Sequence, residues 1–352
     1  MQRPVSSLRL SPSVKVKLVS AGFQFTADLK DLDQSQLSRD AGLSQQEAME
    51  VLQVVRRAGG GDEGGALSSV TALELLQKEE EELGSIVTFS SQLDAALDGG
   101  LPVGKTTEIC GVPGVGKTQL CLQLAVDVQV PPCFGGVGGQ VVYIDTEGSF
   151  VLQRVIDIAT AAMQHCSLLV EDDEQRVAME TFTVENILSN ILLVRCHDYV
   201  ELLAELNLLP DFLCARPRVR LLVIDSVACP FRWLVDELSQ RTRLLNVLAQ
   251  QLITMATKYN IAVVVTNQMT TRLRGGQSHL VPALGENWGH APTIRLLLHW
   301  EGSRRLATII KSPCHMDSIT QYEITGEGFR DADQSEQPQN KRTRTESYQS
   351  NG

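Results

Sequence analysis

The sequence predicts an α/β fold with a mostly parallel sheet extended by antiparallel strands, together with a small all-helical lobe at the N-terminus. Short β-branched runs alternate with helical patterns, as in βαβ units, and the later apolar runs are spaced like hairpin strands. The lobe is predicted because residues 1–57 show only short helical patterns. The 352 residues suffice for two such domains but hardly for three independent cores.

The remaining segments follow in order along the chain. We expect residues 58–82 to form a flexible linker and a helix, because residues 58–69 contain five glycines and little that could pack. Residues 83–330 form the expected core, and the polar residues 331–352 are expected to be disordered. The predicted parallel strands are 106–110, 141–145, 191–194, 221–225 and 261–266, and the predicted antiparallel strands are 294–300, 306–310 and 319–324.

The composition limits the possible functions and locations. A formal net charge of −11 argues against a protein that coats duplex DNA by bulk electrostatics, although it allows a local DNA site. No apolar run approaches the roughly 20 residues that span a bilayer, so no membrane partner is expected. A basic cluster of Lys341, Arg342 and Arg344 is compatible with nuclear import, a pattern that also arises by chance. We expect a nuclear protein, with the cytoplasm as a second location.

Cysteine and histidine provide no metal or disulfide pattern. The eight cysteines are scattered through apolar segments without a C-x-x-C pair, and we expect all eight to be buried thiols. The six histidines lack metal-ligand spacing and are expected to be structural or surface residues.

The clearest chemical motif is a G-x-x-x-x-G-K-[ST] segment between a predicted strand and a predicted helix. Main-chain N–H groups in such a loop close around the β-phosphate of ATP. Lys117 would contact the β- and γ-phosphates, and Thr118 would ligate Mg²⁺. A glycine-rich turn that binds nothing is the alternative. The residues are Gly111, Val112, Pro113, Gly114, Val115, Gly116, Lys117 and Thr118.

Polar residues after later strands complete the expected catalytic set. Asp225 ends a predicted strand, where a carboxylate would hold the Mg²⁺ shell, or else it caps the next turn. Glu147 follows the next strand after the loop and could activate the attacking water, or it is a solvated loop residue. Gln268 could report the γ-phosphate to the following segment, or it is a plain loop amide. We therefore expect Lys117, Glu147 and Gln268 in catalytic roles.

Two segments are candidates for DNA contact. Residues 269–292 have no clean period and carry Arg272 and Arg274, which favours a mobile loop against the phosphates of single-stranded DNA. An insertion without a ligand would look the same. A second loop is predicted over residues 229–243 and carries Arg232, where a solvated helix face is the alternative.

Four segments in this order and spacing resemble the RecA-type recombinase family of eukaryotes: G-V-P-G-V-G-K-T, Y-I-D-T-E-G, L-L-V-I-D-S and V-V-V-T-N-Q-M. The resemblance covers residues 86–330, and the segments T-T-E-I-C-G-V-P-G and L-V-P-A-L-G-E-N-W-G-H look close to the family's C-type paralogues. It implies a RecA-like P-loop core with ATP and Mg²⁺ as cofactors. It also implies a role in homologous-recombination repair of double-strand breaks. The implied partners are single-stranded or branched DNA, other recombinase paralogues in a hetero-oligomer, and the recombinase filament.

Two departures from the family pattern bear on assembly. Strand-exchanging members link subunits through Phe-x-x-Ala, whereas residues 69–72 read Ser-Val-Thr-Ala here. Lys311 stands where an acidic residue usually precedes Ser-Pro, and it could reach the ATP of an adjacent subunit. The missing aromatic anchor favours a helper subunit over a protein that forms long filaments of its own.

The sequence leaves three functional hypotheses. We favour a weak, DNA-stimulated, Mg²⁺-dependent ATPase within a paralogue complex. The alternative is a scaffold that binds ATP with little hydrolysis of its own. A hexameric helicase is the third hypothesis, and the absence of an obvious helicase-specific extension argues against it.

Overall fold

The computed structural model describes residues 4–5, 8, 10–29, 32–59, 71–73, 84–232, 238–274, 277–313 and 318–332. They belong to two compact units, Met1–Thr71 and Ala72–Gly352. Most of the expected linker and most of the expected tail lie outside the described residues, as do Lys341, Arg342 and Arg344. These expectations therefore stay predictions.

The N-terminal unit is helical, as predicted. Its helices are α1 (Pro12–Ser20), α2 (Gln34–Ala41) and α3 (Gln45–Gly59), the last of which continues past the predicted boundary at residue 57. Ser11 accepts a hydrogen bond from the Val14 N–H at 3.4 Å, and Pro12 takes the first helical position. Buried apolar side chains from all three helices form the core of this unit: Val14, Leu18, Leu37, Ala48 and Val51.

The second unit is built on one sheet. The strands of this unit are β1 (Ser85–Ile86), β2 (Leu101–Pro102), β3 (Thr106–Gly111), β4 (Gln140–Asp145), β5 (Ile191–Arg195), β6 (Val219–Asp225), β7 (Ala262–Asn267), β8 (Met269–Arg274), β9 (Gln277–Pro282), β10 (Ile294–Glu301), β11 (Arg304–Lys311), β12 (Ile319–Thr325) and β13 (Gly328–Asp331). Nine of them form the sheet among the described residues, in the order β13-β12-β11-β10-β3-β7-β6-β4-β5. The predicted α/β fold with a mostly parallel sheet is confirmed.

The sheet differs from the prediction at the strand where its direction changes. The sequence places residues 294–300 in the antiparallel extension, but β10 pairs parallel to β3 on one side and antiparallel to β11 on the other. Strands β11, β12 and β13 then continue the antiparallel part. Hairpin spacing reports how β10 is joined to β11 and carries no information about its second neighbour, which explains the difference.

Helices cover both faces of the parallel strands. They are α4 (Ser91–Ala96), α5 (Lys117–Asp127), α6 (Leu152–Leu168), α7 (Asp173–Thr181), α8 (Val184–Ser189), α9 (Tyr199–Ala215), α10 (Leu238–Tyr259) and α11 (Glu286–Gly289). Along β6, Val223 packs in the cluster with α5 and α6, whereas Leu222 packs in the cluster with α9 and α10. Burial on both faces explains why these strands are continuous apolar runs.

The carboxyl ends of the central strands meet at one edge of the sheet. Asp145 at the end of β4 is paired directly with Asp225 at the end of β6. Cys110 near the end of β3 is paired with Asn267 at the end of β7. Ligands of open α/β sheets bind at this edge, outside the carboxyl ends of the strands.

Both predicted DNA loops contain regular structure. Within residues 269–292, β8 and β9 form an antiparallel hairpin and α11 follows, so the expectation of a loop without regular structure is wrong. The hairpin strands lack apolar alternation because each carries polar side chains on both faces. The second predicted loop, residues 229–243, is also partly wrong, since α10 begins at Leu238.

The expectation that every cysteine is buried is also wrong. Cys214 is exposed, and Cys133 and Cys229 are partly exposed. Cys214 lies near the C-terminal end of α9, where only one side of the helix faces the sheet. Cys314 is outside the described residues.

The last strand extends past residue 330, where the predicted core ends, into the predicted disordered tail. Asp331 ends β13, and its carboxylate accepts a hydrogen bond from the Ser91 hydroxyl at 2.6 Å and from the Ser91 N–H at 3.0 Å. This contact fixes the last strand to the start of α4. Among the described residues, no helix is long and apolar enough to cross a membrane.

Candidate nucleotide-binding site

The P-loop, residues 111–118, connects the end of β3 to the start of α5. Gly114 and Gly116 have φ values of +77° and +117°, a region that favours glycine. A Cβ atom on Gly111 would lie 2.6 Å from the Leu298 carbonyl oxygen, so this position also requires glycine. Within the described part of the chain, no side chain caps the N-terminus of α5. Its first N–H groups are therefore available to an anion, as the sequence predicts for a phosphate.

Lys117 extends back over the same loop. Its Nζ donates to the Gly111 carbonyl at 2.9 Å and to the Val112 carbonyl at 3.2 Å. Burial lowers the pKa of Lys117, and the negative charges of Asp225 and Glu147 oppose this change. The ammonium group therefore lies at the mouth of the loop, where it can contact phosphate oxygens.

Thr118 and Asp225 meet as expected for a cation site. The Thr118 hydroxyl donates to Asp225 Oδ2 at 2.7 Å. Because its proton is used in this bond, the Thr118 oxygen keeps its lone pairs for a cation. Thr266 donates to Asp225 Oδ1 at 2.5 Å and Tyr143 to Oδ2 at 3.0 Å, so the carboxylate is held from two neighbouring strands.

The described residues contain no cluster of three or more His, Cys, Asp or Glu side chains that could hold a metal ion alone. A cation beside Thr118 and Asp225 would need further oxygen ligands from water and phosphate. That arrangement is typical of Mg²⁺, which keeps several waters and uses few protein ligands together with substrate phosphates. The donor set therefore fits Mg²⁺ bound with a nucleotide.

Asp145 determines the position of Glu147, and sequence analysis did not identify this role. Its carboxylate accepts the N–H groups of Glu147 at 3.2 Å, Ser149 at 3.1 Å and Phe150 at 3.2 Å. These bonds shape the turn after β4. The sequence indicated this role only by placing an Asp at the end of a buried strand. A buried carboxylate there needs hydrogen-bond donors from neighbouring groups.

Glu147 and Gln268 are brought together by the fold. Glu147 Oε1 accepts the Ser226 hydroxyl at 2.5 Å and the Gln268 Nε2 at 2.7 Å. Glu147 is exposed on the same edge of the sheet as the P-loop. The expected water-activating residue therefore lies in contact with the expected γ-phosphate sensor.

Arg232 also belongs to this group. Its Nη2 donates to Gln268 Oε1, so Gln268 joins Glu147 to the second predicted DNA segment, residues 229–243. Sequence analysis assigned Arg232 to DNA contact and did not predict its bond to Gln268. The three side chains come from segments that are far apart in the chain, and only the sheet brings them together.

A buried carboxylate anchors the end of β7, directly before Gln268. Glu108 in β3 is fully buried and accepts Asn267 Nδ2 at 2.7 Å and Trp288 Nε1 at 2.8 Å on Oε1. Arg295 Nε donates to Glu108 Oε2 at 2.5 Å. Glu108 thus connects the P-loop strand, the residue before Gln268, and α11 at the base of the hairpin. A charged residue within the predicted strand 106–110 was its indication in the sequence.

Arg272 of the hairpin is paired with a different residue. Arg272 on β8 forms an ion pair with Glu286 at 2.5 Å, and both side chains are largely exposed. A cavity of about 450 Å³ lies between this pair and the start of α10, where Arg241 also lines it. Arg274 ends β8, and its side chain is outside the described residues.

Lys311 contacts main-chain carbonyls of its own chain. Its Nζ donates to the carbonyls of Gly289 at 3.3 Å, His290 at 2.8 Å and Pro292 at 2.6 Å. Burial lowers the pKa of Lys311, and the nearby Arg295 lowers it further. The ammonium group therefore stabilises the C-terminal end of α11.

Comparison with known proteins supports one family. The Rad51 family profile matches residues 79–332. The chain is 54% identical over 341 residues to "DNA repair protein RAD51 homolog 3" of Cricetulus griseus, covering 94% of this chain and 93% of that protein. It is 41% identical over 266 residues to the Dictyostelium discoideum protein of the same name, covering 75% of this chain and 70% of that protein. It is 33% identical over 327 residues to "DNA repair protein RAD51 homolog 2" of Mus musculus, covering 84% of this chain and 87% of that protein.

The matched residues include the P-loop, Glu147, Asp225 and Gln268, and they span the whole nine-stranded sheet. The resemblance that the sequence motifs indicate is therefore confirmed. The chain belongs to the Rad51 family, and within it to the C-type paralogues.

Proposed function

We propose that this chain is a Mg²⁺-dependent ATPase subunit of a recombinase-paralogue complex, with a low turnover that single-stranded or branched DNA stimulates. Membership of the Rad51 family implies RecA-like nucleotide binding and a role in homologous-recombination repair. The proposal adds hydrolysis, DNA stimulation and assembly with other paralogues. One observation carries it: Gln268 contacts both Glu147 and Arg232.

ATP would be held by the P-loop and Lys117. The uncapped amides of α5 would donate to the phosphates, and the ammonium group of Lys117 would balance their charge. Thr118 and Asp225 would hold Mg²⁺, which when bound neutralises charge on the transferred phosphoryl group.

Glu147 would accept the proton of the attacking water. The Ser226 hydroxyl and the Gln268 amide both donate to Oε1. The described contacts thus leave Oε2 as the acceptor for a water proton, while two donors orient the carboxylate. A γ-phosphate that drew the Gln268 amide away would weaken both the Glu147 contact and the Arg232 contact.

DNA would bind along the segments that carry Arg232, Arg272 and Arg274. Arg232 is exposed and contacts Gln268, so DNA bound there would be linked to the nucleotide site. The cavity between Arg272 and Arg241 offers room for a phosphate group beside the hairpin. The overall charge of −11 makes this a local site, which favours single strands and branches over extended duplex.

Partners and location follow from the family and the terminal sequence. We infer that other recombinase paralogues form a hetero-oligomer with this chain and that the complex assists the recombinase filament. The basic cluster of Lys341, Arg342 and Arg344 supports a nuclear location, with the cytoplasm as a second one. The alternative function is an ATP-bound scaffold with little hydrolysis of its own. The turnover of wild type relative to Glu147→Gln distinguishes it from the ATPase.

We expect Asp225→Asn to weaken ATP binding in Mg²⁺ by roughly 10- to 100-fold, the range for groups that orient a metal's ligands. Binding in EDTA should change little, because the amides of the P-loop remain. Titration calorimetry in both buffers measures this, with Asp157→Asn as a control, since exposed Asp157 accepts a hydrogen bond from Gln153 of its own helix and lies outside the proposed site. An equal loss of affinity in both buffers would contradict the cation site.

We expect Glu147→Gln to lower ATP turnover at least about 100-fold, because a general base contributes 10²–10⁴-fold. Nucleotide affinity should stay within about twofold of wild type, since Glu147 is not expected to contact the phosphates directly. Single-turnover hydrolysis with and without single-stranded DNA measures this, and Glu301→Gln on β10 is the matched control. Wild-type turnover at or below that of Glu147→Gln would support the scaffold.

We expect Arg272→Ala to weaken binding of single-stranded DNA and to reduce the salt dependence of that binding by roughly one unit of slope. Arg274→Ala should act in the same direction. Arg304→Ala is the matched control, because its side chain is 57% exposed against 58% for Arg272 and is likewise paired with a glutamate. Fluorescence anisotropy across a salt series tests this, and an unchanged slope for Arg272→Ala removes the hairpin from the DNA site.

A further inference from the structure

Tyr322 contacts the P-loop from the antiparallel part of the sheet. Its hydroxyl donates to the Val115 carbonyl at 2.8 Å, although the two residues are 207 positions apart. The side chain is 1% exposed and stacks on Phe329, with ring centroids 4.5 Å apart. Burial raises the pKa of the Tyr322 phenol, which therefore stays protonated and donates.

The position of the Val115 carbonyl determines the direction of the next N–H group. The peptide bond between Val115 and Gly116 is trans, so its C=O and N–H point in opposite directions. Because the carbonyl points toward Tyr322 on β12, the Gly116 N–H points away from β12, toward the concave side of the loop. In loops of this type the concave side receives the phosphates.

Strand β12 also limits movement of the following residue. A Cβ atom placed on Gly116 would lie 3.2 Å from Ile324 Cδ1, so the strand packs directly beneath this glycine. Tyr322 and Ile324 are two positions apart on one strand and therefore share a face. Two adjacent loop residues, Val115 and Gly116, thus rest on two side chains of the same strand.

The end of β12 is in turn fixed to the helices of the site. Arg154 on α6 donates to the Thr325 carbonyl at 2.7 Å and to the Gly326 carbonyl at 2.6 Å. The same guanidinium group donates to Gln119 Oε1 at 2.7 Å, in the first turn of α5. The strand that supports the P-loop therefore cannot shift without also moving the start of α5.

We propose that Tyr322 is a positioning residue for the nucleotide, whose hydroxyl holds the peptide between Val115 and Gly116 so that the Gly116 N–H faces the β-phosphate. This inference rests on the proposed binding of ATP at the P-loop. It assigns to the antiparallel extension a part in phosphate binding, which the sequence motifs place entirely within residues 111–118.

Tyr322→Phe in the full-length chain tests this proposal, because it removes one oxygen atom and keeps the ring stacked on Phe329. We expect the affinities for ADP and for ATP, both in Mg²⁺, to weaken roughly three- to tenfold, the loss that one neutral hydrogen bond accounts for. The ratio of the two affinities should stay the same, since both nucleotides carry the β-phosphate.

Two further variants separate positioning from packing. Phe329→Leu disturbs the ring stack and keeps the Tyr322 hydroxyl, so it should bind both nucleotides like wild type. Lys117→Ala should lose more affinity than Tyr322→Phe. A loss with Phe329→Leu as large as that with Tyr322→Phe, or an unchanged affinity with Tyr322→Phe, would overturn the inference while the proposed function stands.

Hydrogen–deuterium exchange of the wild-type protein gives an independent test that does not depend on any variant folding. The Gly116 amide should exchange more slowly when ADP and Mg²⁺ are added, and equal exchange with and without nucleotide would overturn the inference. Absence of nucleotide binding by the wild-type protein would instead overturn the proposed function itself.

Discussion

The hydrogen bond from the Thr118 hydroxyl to Asp225 joins two motifs that are 107 residues apart in the chain. It forms because parallel strands β3 and β6 end at the same edge of the sheet, so the residues that follow them meet there. Thr266 of β7 and Tyr143 of β4 donate to the same carboxylate, so these two strands also contact Asp225. This contact ties the start of the P-loop helix to the strand ends where the other groups of the site lie.

Asn267, the last residue of β7, and Gln268, which follows it, have different environments. Asn267 is fully buried and is held by Glu108, which also binds Trp288 and Arg295. Gln268 is partly exposed and contacts Glu147 and Arg232. In the proposed function, the Gln268 side chain would move while the buried Asn267 keeps β7 in place. A change at the phosphates would then reach Arg232, in the segment after β6.

Much of the core could be predicted from the sequence. The parallel strands are buried on both faces, and such strands appear in the sequence as apolar runs. They can therefore be recognised without knowing which strands they pair with. The P-loop, Asp225 and Glu147 follow strand ends, and their chemistry is specific enough to identify them locally. Position at a shared sheet edge then explains why the structure brings Thr118, Asp225, Glu147 and Gln268 together.

The remainder depends on contacts between distant segments, which local patterns do not contain. Asp145 was overlooked because its role is to accept main-chain N–H groups, and Tyr322 because its partner is a carbonyl 207 positions away. The hairpin of β8 and β9 was missed because polar residues on both faces hide the period of two that identifies a strand. The second neighbour of β10 is likewise a property of the whole sheet.

In the proposed function, main-chain amides and the Lys117 ammonium group hold a triphosphate whose far end is linked through Gln268 to Arg232. Titration calorimetry of the purified, full-length wild-type protein with ATP, in Mg²⁺ and in EDTA, measures this binding. We expect saturable binding at one site that is stronger in Mg²⁺. No heat of binding from the folded protein, alone or together with its cognate paralogue chains, would contradict it.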